Sequence, residues 1–187
     1  SGATLPPDRS VDLGLALHMI YFVKDLSASV TRMVRFLKPG GALVVVVTDE
    51  TVGYTGLALK SFIDRGGDTG DNARNHRIIA ERRRLLGVAA EGGGAMVGIL
   101  GAAGTPGEMT VKRQPSRLYG HNLADLIALS SIAVLAGVED LAKFEAAAAL
   151  LRRQPEAVDL RIEDDGPRKG MWSVAQPQWV VVLRRAG

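Results

Sequence analysis

The stretch Arg35–Val47, RFLKPGGALVVVV, restricts the fold more than any other part of this 187-residue chain. Leading into it, Leu26, Val30, Met33, Val34 and Leu37 recur at three- and four-residue steps, the spacing of one α-helix face. Pro39 has no backbone N–H and cannot extend such a helix, and Gly40 or Gly41 can take the positive φ that helix exits often use. Ala42–Val47 follows with no polar face, as expected of a strand buried inside a parallel sheet. A similar run, Val11–Leu17, precedes the helix, with Asp25 or Ser27 available as its cap. A strand, a helix and a second strand joined by a tight return make a right-handed βαβ unit with parallel strands. The expected fold class is therefore α/β.

Further along, the periodicity predicts a helix over Val52–Ile63 that Gly53 and Gly56 weaken, a loop over Asp64–Asn72 and a helix over Ala73–Gly87. Glu91–Glu108 is glycine-dense and reads as a connection, after which Met109–Tyr119 holds a strand up to Pro115. His121–Gly137 reads as a helix capped by Asn122 with Asp125 in its first turn, and Val138–Gln154 as a second helix ending before Pro155. Ala157–Glu163 and Gln178–Arg185 read as two strands forming an antiparallel pair, with Asp165, Gly166 and Pro167 turning between them.

Composition narrows the functional classes. Hydrophobic residues at 47% and charged ones at 23% suit a globular protein, and aromatics at 5% imply a core of small and branched side chains. There is no cysteine, so disulfides and thiolate metal sites are excluded. His18, His76 and His121 lack ligand spacing, which leaves no metal site in the pattern. No apolar run approaches the roughly 20 residues of a membrane span, and no basic and apolar leader opens the chain, so the expected location is the cytoplasm. Arg74, His76, Arg77 and Arg82–Arg84 invite a nucleic-acid reading. Against it, Glu81 interrupts the run, no aromatic is interleaved for stacking, and the net charge is only +3.

Leu5–Val47, LPPDRSVDLGLALHMIYFVKDLSASVTRMVRFLKPGGALVVVV, resembles the middle of class I S-adenosylmethionine-dependent methyltransferases. Leu5-Pro6, Ser10-Val11-Asp12-Leu13, Val23 and Leu37-Lys38-Pro39-Gly40-Gly41 follow that family's pattern in order and spacing. The resemblance implies a Rossmann-like sheet of which this chain carries the second half. Residues 1–50 would be a partial cofactor-binding α/β core, 51–155 a helical and loop insertion over the substrate, and 156–187 a strand pair completing the sheet. It implies S-adenosylmethionine as cofactor, bordered by Gly2, Ala3, Leu17, His18 and Met19. Gly2 stands where the family often has an aspartate for the adenine, so the backbone at Ala3 is the alternative contact. Tyr21, Asp49 and Tyr54 fall where the acceptor would bind. The family's glycine-rich loop and ribose-binding acid are expected before Ser1. Gly98–Gly104, GILGAAG, does not replace that loop, because its glycines are wrongly spaced and no helix follows.

Each candidate has a plainer structural reading. His18 is a possible general base, or an imidazole that only shapes the pocket by hydrogen bonding. Asp49 could face substrate or cap the segment after the strand, and Tyr54 could pack rather than close over a ligand. The leading function is methyl transfer to a small-molecule acceptor by the intact domain. The alternatives are a non-catalytic, degenerate or truncated binding module and a nucleic-acid methyltransferase. A half-sheet leaves an unpaired edge, so association with a missing N-terminal segment, a second copy or another chain is expected.

Overall fold

The computed structural model describes residues 4–19, 23, 25–49, 52–62, 107–134 and 148–187. In chain order the elements are β1 (Val11–Leu17), α1 (Leu26–Phe36), β2 (Leu37–Thr48), α2 (Gly53–Phe62), β3 (Gly107–Gln114), β4 (Arg117–Gly120), α3 (Leu123–Val134), β5 (Arg161–Ile162), β6 (Trp172–Ala175) and β7 (Gln178–Arg185). A helical stretch over 148–153 precedes β5. The described residues fall into two compact units, one holding 4–47, 107–113 and 179–187, the other 48–62, 114–134 and 148–178. None of the described helices is long and apolar enough to cross a membrane.

The first unit carries a four-stranded sheet in the order β1-β2-β7-β3. β1 and β2 are parallel, with Leu13 opposite Ala42, Leu15 opposite Val44 and Leu17 opposite Val46. The helix between them starts where its capping chemistry dictates, since the Asp25 carboxylate accepts the Ala28 N–H at 2.8 Å. It ends with Arg35 in its last turn, where a cation suits the helix dipole. The βαβ expectation therefore holds. Val30 and Val34 of α1 pack on Ala16 of β1, on Leu37, Leu43, Val45 and Val47 of β2, and on Val181 and Leu183 of β7. Arg185 is buried and donates to the Leu37 carbonyl at 2.8 Å, satisfying an acceptor at the point where helix becomes strand.

Three details differ from the sequence expectation. β2 starts at Leu37 rather than Ala42, because the chain is already extended before the proline. The β1–β2 register shifts between Val11 and Leu13, so Lys38–Gly41 is accommodated as an irregularity. β1 is also not buried on both faces. Among the described residues it is the outer strand of its sheet, and its Leu13, Leu15 and Leu17 side chains are 55%, 57% and 54% exposed, while Ala16 on the other face is fully buried. A run of apolar residues does not reveal whether its strand is central or at an edge.

The second unit has a small antiparallel sheet in the order β4-β6-β5, with Leu118 opposite Val174 and Ile162 opposite Trp172. Its core contains Tyr54, Leu126, Ile127, Leu150, Leu151, Val158 and Val174. Asn122 caps α3 as expected, accepting the Asp125 N–H at 2.9 Å and donating to the Asp125 carboxylate at 3.0 Å. The expected pairing of 157–163 with 178–185 is corrected here. Arg161–Ile162 pairs with Trp172–Ala175, and Gln178–Arg185 lies between β2 and β3 in the other sheet. The helix expected over 73–87 and the connection over 91–106 lie outside the described residues.

An ion network fastens this small sheet. Arg117 donates to Ser173 Oγ from Nε at 3.0 Å and from Nη2 at 2.9 Å, and its Nη1 reaches the Asp159 carboxylate. Ser173 Oγ donates to Glu163 Oε1, which also lies 3.3 Å from Arg117 Nε and 3.2 Å from Arg161 Nε. The Ser173 hydrogen bond, helped by Arg161 and Arg117 and opposed by burial, holds the Glu163 carboxyl below its usual range. A carboxylate depressed in the folded state adds stability above its unfolded pKa, and that stability is lost as pH falls through the lowered folded value. Arg117→Ala is expected to destabilise the second unit by about 1–3 kcal/mol at neutral pH. It also shrinks the acid-dependent part of the stability. Urea melts followed by Trp172 fluorescence in a Trp179→Phe background, repeated down the acid range, measure both effects. An unchanged pH dependence would show that Arg117 has no hold on Glu163.

Candidate functional site

In parallel α/β sheets, ligand-binding groups collect beyond the carboxyl ends of the strands. Pairing of Leu17 with Val46 sets the carboxyl ends of β1 and β2 side by side. His18 is the first residue past β1 and takes a left-handed conformation, φ +52°. Its backbone N–H still donates to the Val46 carbonyl at 3.0 Å, so the chain turns sharply while tethered to β2. A non-glycine residue held at positive φ is uncommon and is over-represented where chains turn around ligands. Leu17 and Met19 flank it, 54% and 48% exposed, and His18 is exposed as well. Leu17, His18 and Met19 thus share one rim of the first unit, apolar on either side of an accessible imidazole.

Gly2, Ala3 and Tyr21 lie outside the described residues. Asp49 and Tyr54 belong to the second unit. Asp49 follows β2 directly, is only 1% exposed, and is anchored by its backbone N–H to the Pro177 carbonyl at 2.8 Å. Tyr54 has no exposed surface and packs in the core with Leu126, Ile127 and Val174. A packing role accounts for that burial without a ligand.

Two polar residues that sequence reasoning did not single out organise the same end of the second unit. Gln176 is 3% exposed, and its Oε1 accepts from Thr55 Oγ1 at 2.8 Å and from Thr55 N at 3.3 Å. It therefore substitutes for a local N-cap on α2 from 121 positions away, a distance no local motif can announce. Ser116 Oγ donates to the Gln176 carbonyl, closing the turn into β7. Among the described residues no group of three or more His, Cys, Asp or Glu could hold a metal ion.

The rim at Leu17, His18 and Met19 offers exposed apolar surface on either side of a polar side chain, the kind of lining that the adenosyl end of S-adenosylmethionine would need. Residues able to hold the ribose and the methionine part are not found among the described ones, so the residues present fit that cofactor only in part.

Residues 2–45 match the family model described as a methyltransferase domain, a span that covers β1, α1 and most of β2. No curated protein matches the chain. A candidate methyltransferase from Bacillus halodurans aligns over 100% of this chain and 68% of its own, at 11% identity and a TM-score of 0.51. YcgJ from Bacillus subtilis aligns over 98% of this chain and 68% of its own, at 11% identity and a TM-score of 0.47. The [4+2]-cyclase SpnF aligns over 98% and 54%, at 15% identity and a TM-score of 0.37. At such identity the first of these structures speaks for the fold alone, which is α/β and Rossmann-like, and the two lower scores carry no argument. The family match and the parallel β1–α1–β2 unit coincide on one segment, where the class I methyltransferase pattern was read.

Proposed function

We propose that this chain, whose residues 2–45 match a methyltransferase-domain model, takes part in methyl transfer from S-adenosylmethionine to a small-molecule acceptor as part of a larger intact domain. The observation that carries the reading is the β1–β2 pair. Its strands are parallel, their carboxyl ends are level, and the turn at His18 opens the first of them to solvent. The donor supplies a methyl group already activated on a sulfonium centre, so the protein's task is mainly alignment and exclusion of water.

Within that task Leu17 and Met19 provide apolar surface against the donor, and His18 shapes the pocket between them by hydrogen bonding. The left-handed backbone at His18 sets where its side chain leaves the turn, which suits a positioning residue as well as a base. Titration calorimetry with S-adenosylhomocysteine tests this directly. Saturable one-to-one binding is expected, weakened about tenfold by Leu17→Lys through lost apolar contact and a misplaced charge. His18→Asn, which keeps a hydrogen-bonding side chain tolerant of positive φ, should bind more tightly than His18→Ala. Absence of binding, or binding indifferent to both positions, overturns the assignment of this rim.

A further inference from the structure

The residues of α1, LSASVTRMVRF, include two arginines and no carboxylate. Exposed helix faces commonly set acids three or four places from their cations, yet the neighbours at that spacing are Ala28 and Phe36 for Arg32 and Thr31 for Arg35. Val30 and Val34 are buried against the sheet, which turns Arg32 and Arg35 outward, both of them exposed. Arg35 in the last turn complements the helix dipole, but Arg32 stands outside that turn and the dipole does not account for it.

A third guanidinium comes from another segment. The Arg9 N–H donates to the Arg35 carbonyl at 3.0 Å and the Ser10 N–H to the Phe36 carbonyl at 2.9 Å, so the loop before β1 caps open carbonyls at the end of α1. Arg9 holds a left-handed backbone there, φ +58°, and is exposed. Among the described residues Arg9, Arg32 and Arg35 form no ion pair, whereas Lys38 is engaged by Asp12 at 2.8 Å. The outward face is also not flat. Small side chains at Ser27, Ala28 and Thr31 leave an open hollow of about 480 Å³, bounded by Arg32 and Arg35 towards one end and by Asp25 at the other.

We infer that this face is a binding site for a small phosphate-bearing polyanion. Guanidinium forks match phosphate oxygens two at a time, and residues one turn apart on a helix can grip one group, or two linked ones, together. No aromatic ring lines the hollow, so nothing there stacks on a nucleobase. Nor does a large apolar side chain, which the central contacts of a protein partner would need. Asp25, whose carboxylate accepts the Ala28 N–H, repels an anion from its end and confines the charge to Arg9, Arg32 and Arg35. α1 runs back from the carboxyl end of β1 to Leu37, which pairs with Val11, so the arginines lie at the opposite end of the sheet from Leu17, His18 and Met19. The site is therefore separate from the donor rim and independent of the methyl-transfer reading.

Calorimetric titration of the 187-residue chain with sodium tripolyphosphate at about 20 mM salt should show one site with a Kd on the order of 100 μM, severalfold weaker at about 150 mM salt. Arg32→Gln should weaken binding about tenfold, and Arg32→Lys, which keeps the charge but not the fork, by less. Circular dichroism and melting temperature should not change in either variant, because the side chain is exposed. Arg9→Gly removes the third guanidinium while suiting the left-handed backbone, and should also weaken binding severalfold. Lys112→Gln removes an exposed charge on β3 of the same unit and should leave binding unchanged. No binding at low salt overturns the proposal, and so does equal weakening by Lys112→Gln and Arg32→Gln, which would reduce the effect to diffuse charge. Tighter binding of polyglutamate or single-stranded RNA, lost in Arg32→Gln, overturns it in favour of a macromolecular partner. S-adenosylhomocysteine affinity should be the same in Arg32→Gln and the parent, so this result and that of the proposed function can fail independently.

Discussion

Gly53→Ala lowers the stability of the second unit by about 3–5 kcal/mol, combining a left-handed backbone penalty with a clash that a well-packed interior cannot relieve. Gly53 opens α2 at φ +64°, a conformation that costs any residue with a Cβ. A Cβ there would sit 2.4 Å from the Ala175 carbonyl oxygen and 3.2 Å from Pro177 Cδ. The oxygen belongs to the backbone of β6, so relief requires moving either that strand or the start of α2. Either movement disturbs the Gln176–Thr55 bonds that cap the helix. Gly166 separates the two causes, because it has φ +65° but nothing within 4 Å of its would-be Cβ. Gly166→Ala should therefore cost only about 1–2 kcal/mol, the backbone penalty alone. Thermal melts followed by Trp172 in a Trp179→Phe background should place Gly53→Ala about 10 °C below the parent. Equal melting of the two glycine variants would show that the contact with Ala175 does not matter.

In the first unit, Gly41→Val is expected to cost about 3–5 kcal/mol, whereas the neighbouring Gly40→Ala costs about 1–2. The two adjacent glycines do different things. Gly40 has φ +76° with open space around it, so it answers a backbone need at the surface. Gly41 has no unusual φ, but its Cβ would meet three backbone oxygens, Lys38 at 2.9 Å, Val11 at 3.1 Å and Asp12 at 3.2 Å. It is the position where β1 and β2 come close enough to accommodate the register shift, and a branched side chain would wedge them apart. Urea unfolding read by Trp179, which packs on this core, checks the order of the two effects. If Gly40→Ala proves the more damaging, close approach is not what position 41 provides.

Much of the first unit was legible because its determinants are local. Asp25 caps, the apolar steps of α1 bury one face, the helix stops at Phe36 short of Pro39, and the valine run has no polar side to leave in water. These residues lie near one another in sequence, so periodicity and capping chemistry locate β1, α1 and β2, and they also produce the family resemblance at Leu5–Val47. The cap at Asn122 is legible for the same reason. The candidate site was legible only in part. Leu17, His18 and Met19 could be named from the end of a strand, but the left-handed turn at His18 and its tether to Val46 could not.

What the sequence alone determined is the set of elements whose signals span a few residues: the parallel βαβ unit, the capped helix after Asn122, and the absence of thiol chemistry. Only the tertiary structure decided that Gln178–Arg185 leaves Arg161–Ile162 for the other sheet, that β1 exposes a leucine face, and that Gln176 caps a helix 121 residues earlier. The physical reason is range. Helix capping and side-chain periodicity are governed by neighbours along the chain, whereas strand order and remote caps depend on which distant segments gain most by excluding water and completing hydrogen bonds together.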